Sequence, residues 1–142
     1  MSGLTVATAL AAAVDGNILG PSTSVVYEPG KPHPMGLFYD LNEFEKGLDR
    51  ASESFGEGFF HAVAVKANTL TSILKIIHRK GHGAECASIC EVLHCMEVGF
   101  PPENIIFDSP VKTLPEIKFA LEKGIHLNVD NFEELEEVSG VI

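Results

Sequence analysis

The apolar residues of this chain switch period repeatedly, from two to about 3.6 and back, and that restricts it to alternating strands and helices. Strand-like runs fall at residues 59–67, 84–88, 104–108 and 126–130. A helical stripe follows each, at residues 69–80, 89–98, 114–123 and 132–138. Leu70, Ile73, Leu74 and Ile77 make one i, i+3, i+4, i+7 face, and Ile89, Val92, Leu93 and Met96 make another. Thr113 with Glu116 and Asn131 with Glu134 read as helix starts, and Gly81, Gly99 and Gly124 fall where helices should stop. Ahead of these units, Leu37-Phe38-Tyr39 reads as a short strand. Asp40 with Glu43 then caps a helix striped by Leu41, Phe44, Leu48, Ala51 and Phe55. The strands recur about every twenty-two residues, in the range of a βα unit. Such units pair their strands in parallel through right-handed crossovers. A doubly wound sheet and a (β/α)8 barrel both satisfy that pattern. No G-x-G-x-x-G follows the first long strand, which weighs against a dinucleotide fold. A complete barrel takes eight units and about 250 residues, so the four units here make half of one.

A length of 142 residues suits one domain. Residues 1–36 read as an irregular or helical extension, with one loop at Pro21, Ser22, Thr23 and Ser24 and another at Pro29, Gly30, Pro32 and Pro34. Residues 37–142 read as the barrel half. A hydrophobic content of 45% excludes a disordered tail. A net charge of −10 repels phosphate backbones and anionic lipid heads, which sets aside nucleic-acid and membrane-surface roles. No apolar run approaches the ~20 residues that span a bilayer. LTVATALAAAV, residues 4–14, is apolar enough for a signal core, but the first lysine is Lys31 and the basic flank is missing; a short amphipathic helix is the plainer reading. Cys86, Cys90 and Cys95 match neither a disulfide framework nor a zinc signature and read as buried, reduced thiols of a cytoplasmic protein.

The segment most informative about chemistry is FFHAVAVKAN, residues 59–68. Along a strand, Ala62, Ala64 and Lys66 share one face, and His61, Val63 and Val65 the other. The branched face suits packing against helices. The other has two methyl groups and then one amine at the strand's C-terminal end, where parallel α/β folds place their sites. Small residues beneath leave room for a planar ring, and partial desolvation makes such an amine a nucleophile toward an aldehyde. A solvent-exposed lysine at a strand end is the competing reading. The histidines show no metal-like pairing: His61 should point outward, His78 and His82 flank a helix end, and His94 and His126 stand alone. Glu133, Glu134, Glu136 and Glu137 read as a solvated helix face.

AVKAN at residues 64–68 resembles the cofactor-lysine motif of the ornithine, diaminopimelate and arginine decarboxylases, pyridoxal-phosphate enzymes with an alanine-racemase-like barrel. GAECASICEVLHCMEVGFPPENIIFDSPVKT, residues 83–113, resembles the family's second and third units, and HLNVDNFEELEEV, residues 126–138, its fourth. The resemblance runs over about residues 37–138 and rests on several ordered motifs. It implies that Lys66 forms the internal aldimine with pyridoxal 5'-phosphate, and that a basic amino acid is the substrate, its carbon dioxide leaving with the electrons held by the cofactor. Glu85 falls where the family has an acidic residue, usually Asp, and joins Ser88 as a cofactor-side candidate. Glu91 matches the glutamate of the family's S-x-x-E segment, although a carboxylate at a helix start is also good electrostatics. Asp108, Ser109 and Lys112 should lie near the pocket rim. Asn128 and Asp130 should share a face of the fourth strand, with Asp130 a candidate for substrate contact or structure.

Other family parts have no counterpart in these residues: the ring-stacking histidine, the Gly-rich phosphate loop, the acid facing the pyridine nitrogen and the C-terminal β-domain. Full-length members act as homodimers. The resemblance therefore implies a decarboxylase fragment inactive alone. A non-catalytic paralogue that binds and regulates a longer decarboxylase is the alternative, and the retained Lys66 weighs against it. An isolated half-barrel also has open sheet edges that invite pairing.

Overall fold

A computed structural model describes residue 37 and residues 39–142. The apolar segment at residues 4–14, the loops to Pro34 and the extension expected over residues 1–36 lie outside the described residues. The chain divides into two units, Met1–Phe44 and Glu45–Ile142. The expected strand at Leu37-Phe38-Tyr39 is not formed at Leu37 or Tyr39, and Phe38 is outside the description. Asp40 does begin the first helix of the described residues, α1 (Leu41–Ser54), with its Oδ1 accepting the N–H groups of Asn42 and Glu43 at 3.1 and 3.0 Å.

In the second unit four strands, β1 (Ala62–Ala64), β2 (Gly83–Cys86), β3 (Ile105–Phe107) and β4 (His126–Leu127), form one parallel sheet in the order of the sequence. The helices α2 (Thr71–Arg79), α3 (Ile89–Val98) and α4 (Leu114–Lys123) connect them, and α5 (Phe132–Ser139) follows β4. An unreversed strand order with right-handed crossovers puts α2, α3 and α4 on one face of the sheet. Burial agrees. Val63, Ala84 and Ile105 align across the strands, as do Cys86, Phe107 and Leu127. Ala84, Cys86, Ile105 and Phe107 are all buried, against Ile73, Leu74, Ile77, Val92, Cys95, Ile117 and Ala120 of the helices. The opposite face carries the row Ala64, Glu85, Ile106 and His126, whose side chains are half-buried or exposed. This is a partial barrel of four βα units.

Several expected elements are shorter or packed differently. The first long strand stops at Ala64, where Asn68 N–H turns back to Val65 O and Val65–Ala67 form a 3-10 turn. Ser88 leaves the second strand to cap α3, and Asn128 and Asp130 lie past the end of β4. β2, β3 and β4 end level, at Cys86, Phe107 and Leu127, and the polar residues predicted to extend the strands become the loops of one rim. Leu70 caps α2 instead of packing in it, and Leu93 is exposed; Ile76 and Cys95 are buried in their places. Phe55 lies past the end of α1. The glycine stops hold: Gly99 and Gly124 adopt φ of 115° and 74°, where a Cβ would be strained.

α1 is held to α2 by surface pairs. Arg79 meets Glu45 at 2.6 Å and Lys80 meets Asp49 at 2.7 Å. His82, expected as an ordinary helix-end histidine, is 3% exposed, and its Nε2 lies 3.2 Å from Ser52 Oγ. His61 packs edge-on to Phe55 and 5.7 Å from the His82 ring. Burial first, and the neighbouring His61 second, push the His82 imidazole below its ordinary value.

Candidate functional site

Lys66 stands on the 3-10 turn directly after β1, at the C-terminal rim of the sheet. The strand alternation that was to carry it onto the face of Ala62 and Ala64 stops two residues earlier. Its neighbour Val65 takes the buried position, 1% exposed, and Lys66 is exposed, not partly desolvated. Among the described residues nothing engages its amine. The two alanines below it are half-buried, so the face beneath the turn has no bulky side chain from β1.

Glu85 belongs to β2, in register with Ala64 on one side and Ile106 on the other, and shares their face. Its carboxylate is half-buried and unengaged. Lys66 and Glu85 thus occupy adjacent strands of the same rim. Ser88 and Glu91 are used differently. Ser88 Oγ accepts Glu91 N–H at 3.3 Å, and Glu91 Oε2 accepts Ala87 N–H at 2.7 Å. Both side chains are committed to starting α3.

The same device recurs at α5. Asn131 Oδ1 accepts Glu134 N–H at 2.8 Å, and Glu134 Oε2 accepts Asp130 N–H at 2.9 Å. At α4 the expected capping box is complete, with Glu116 Oε2 accepting both Thr113 N–H and its hydroxyl. Asp108 and Asn128 are exposed on the rim. Asp130 is exposed as well, with its own carboxylate turned to no partner.

The solvated-face reading of the acidic helix fails at one residue. Glu134 is 6% exposed and meets Lys112 Nζ at 3.0 Å, the lysine side chain being fully buried. Lys112 Nζ also donates to Ser109 O at 2.6 Å and lies 5.7 Å from the Phe107 ring centre. Lys112 is therefore a buried tie behind the rim, not a rim group. The path Ser109 O, Lys112, Glu134, Asp130 N–H links the loop after β3 to the loop after β4 through one ion pair. A glutamate at the third helix position signals a cap, but nothing in the sequence pairs it with a lysine twenty-two residues earlier.

The three thiols are free. Cys86 and Cys95 are buried between β2 and α3 with Sγ atoms 3.8 Å apart, while Cys90 is exposed, against expectation, on the outer side of α3. Its hydrogen bond to Cys95, and then burial, push the Cys86 thiol far up, so it stays protonated. Among the described residues no three His, Cys, Asp or Glu side chains gather as a metal site. No helix of the described residues is long and apolar enough to cross a membrane.

Residues 41–142 match the family model described as pyridoxal-dependent decarboxylase, pyridoxal binding domain. A diaminopimelate decarboxylase of Zymomonas mobilis is 37% identical over 123 residues, covering 85% of this chain and 29% of that protein. Antizyme inhibitor 2 of Xenopus laevis is 39% identical over 77 residues, covering 54% of this chain and 17% of that protein. Among solved structures, diaminopimelate decarboxylase from Helicobacter pylori complexed with L-lysine superposes with a TM-score of 0.68 at 32% identity, over 72% of this chain and 27% of that one. The chain thus spans less than a third of the length of these relatives.

Proposed function

The chain belongs to the pyridoxal-dependent decarboxylases, as their pyridoxal-binding domain, and from that premise we propose that it is one part of an amino-acid decarboxylase whose cofactor amine is Lys66. The observation that carries the proposal is local: an exposed, unengaged amine at the C-terminal rim of a parallel sheet, with small residues on the strand below it and a free carboxylate on the next strand. Those features fit pyridoxal phosphate, which needs an amine to hold its aldehyde and flat space beside it. When bound, that group supplies an electron sink for the pair left by a departing carboxylate. Lys66 Nζ would be the group that holds the cofactor's aldehyde. Glu85, in register beside it, presents a carboxylate to the same space, and Ser88 and Glu91 keep α3 starting where Ala87 ends. Asp130 lies on the same rim, after β4, where an ammonium group of the substrate could meet it. The substrate class is a basic amino acid, in keeping with the lysine bound by the Helicobacter pylori relative. Three free thiols suit a reducing, cytoplasmic setting.

Borohydride reduction in the presence of pyridoxal phosphate, followed by peptide mapping, tests this. The adduct is expected on Lys66 ahead of Lys75, Lys118 and Lys123, which are also exposed. Labelling spread evenly over the four lysines defeats the assignment. Turnover of ornithine or diaminopimelate by the 142-residue chain is expected to be negligible, and measurable release of carbon dioxide would contradict the fragment reading.

A second reading is a partner-binding regulator, favoured by the likeness to antizyme inhibitor 2. It predicts no Lys66 adduct and co-purification with a longer decarboxylase.

A further inference from the structure

The rim uses none of the three thiols, yet two of them touch. Cys86 ends β2 on the helix-covered face, two residues after Ala84, and Cys95 lies three residues after Val92 on the buried stripe of α3. The strand and helix periods thus bring both side chains into one layer, where each is 0% exposed and the Sγ atoms lie 3.8 Å apart. Both backbones are held. Cys86 O accepts Asp108 N–H at 2.9 Å, and Cys95 O accepts Gly99 N–H at 3.1 Å and Phe100 N–H at 3.0 Å. A buried thiol packs as a small apolar group, and either cysteine alone would need no further account. Together they set a second sulfur nucleophile against the first, nine residues apart in the chain. The pair is also asymmetric. The Cys86 S–H donates to Cys95 Sγ, which favours ionisation of Cys95 and opposes that of Cys86.

We propose that Cys86 and Cys95 are a modification site, a dithiol that a hydroperoxide converts into an intrachain disulfide fastening the end of β2 to α3. Closing the bond brings the sulfurs from 3.8 Å to about 2.0 Å, a movement of ~2 Å shared by two side chains and the elements that carry them. The Cys95 sulfur attacks the O–O bond. One oxygen stays on it as a sulfenic acid, and the other leaves with a proton as water or an alcohol. The Cys86 sulfur then displaces the sulfenic hydroxyl, which departs as water with the Cys86 proton. Two thiols lose two electrons and two protons, and the peroxide takes up both. Cys86 already stands in contact, so the sulfenic acid is resolved before a second peroxide reaches it. Burial holds bulky thiols away from the pair, whereas a small peroxide enters through local opening. In a reducing setting the pair rests as two thiols. The bond joins the strand that carries Glu85 to the helix that Ser88 and Glu91 start. The inference is independent of the cofactor reading, since no step of it uses Lys66.

The test uses the whole chain carrying Cys90→Ala, which removes the exposed thiol and with it any disulfide between copies through that residue. The folded protein is treated with hydrogen peroxide, quenched with iodoacetamide in denaturant and cleaved after Glu91, which separates the two cysteines. The expected product has lost about 2 Da, two hydrogens, and gives a linked pair of peptides containing Cys86 and Cys95, neither of them alkylated. Dithiothreitol should return both thiols. The linked chain should keep the circular dichroism of the reduced one and unfold at a higher temperature, because the bond closes a loop in the unfolded chain. Adding Cys86→Ala should leave Cys95 as a sulfenic acid that dimedone captures. The first readout needs no buried substitution, so a misfolded Cys86→Ala chain does not spoil it. Both thiols recovered alkylated, a sulfinic acid on either, a link between copies, a link formed only in unfolding urea, or a lower Tm for the linked chain would each overturn the proposal.

Discussion

Removing one partner of the Lys112–Glu134 pair should cost the second unit far more than a surface ion pair does. Exposed pairs are worth about 0–1 kcal/mol. This one has side-chain exposures of 0% and 6%, so neither charge can turn to water when the other is lost. Lys112→Met leaves a buried carboxylate with one N–H donor, from Asp130. Glu134→Gln leaves a buried ammonium with the carbonyl of Ser109. Each is expected to cost about 3–5 kcal/mol, the usual penalty for an orphaned buried charge. The pair Lys112→Met with Glu134→Gln removes both charges and keeps an acceptor for Asp130 N–H. Its cost is a lost hydrogen bond of about 0.5–1.5 kcal/mol. The coupling between the two sites should therefore be at least about 4.5 kcal/mol, against near-additivity for sites that do not interact. A typical domain has only about 5–15 kcal/mol in total, so either single variant should shift the urea midpoint visibly. Urea unfolding followed by far-UV circular dichroism, at one chain concentration, gives all four corners of the cycle. Single losses below about 1 kcal/mol, or costs that simply add, would refute the view that this pair is dry.

Two further outcomes follow from packing and titration. Gly83→Ala places a Cβ against the Phe60 ring and 2.6 Å from the Asn104 carbonyl oxygen; it should lower stability by about 1–3 kcal/mol, and adding Phe60→Ala should restore only part, since the carbonyl is backbone. An unchanged Tm for Gly83→Ala would show that β1 and β3 do not crowd β2 there. His82 is held below its ordinary value of 6.5 when folded, so the unfolded chain takes up the proton first, and stability should be full above that pH and fall as pH drops below it. His82→Gln should flatten that fall, and an equally steep one would assign the titration elsewhere.

The order of elements was legible because helix stripes, caps and glycine stops are local. α3 and α4 run as their caps and glycines predict, Ile89–Val98 and Leu114–Lys123, and α5 ends one residue later than expected. Strand length was not legible, because where each chain leaves the ladder is set by local turns and caps that the apolar alternation does not mark. The apolar run through Val65 continues the alternation on paper, yet β2 matches only three residues of β1. Val65 leaves the ladder for the 3-10 turn although β2 runs on to Cys86, and that puts Lys66 on the turn. The position of Lys66, Glu85 and Asp130 on one rim follows from strand order and could be read in advance. The burial of Lys112 and Glu134 could not, since each is an ordinary charged residue until the third and fourth units stand side by side. Ser88 and Glu91 show the same limit from the other direction, as side chains with a chemical look that are consumed by a helix start.

The helix starts on this rim have a consequence for anions. Backbone amides at the head of a helix ordinarily make a seat for phosphate. Glu91, Glu116 and Glu134 each fold back onto an amide just ahead of α3, α4 and α5, those of Ala87, Thr113 and Asp130, and so set the chain's own negative charge beside each helix start. A phosphorylated ligand placed at any of these three helix starts would meet a carboxylate, which disfavours its anionic end there.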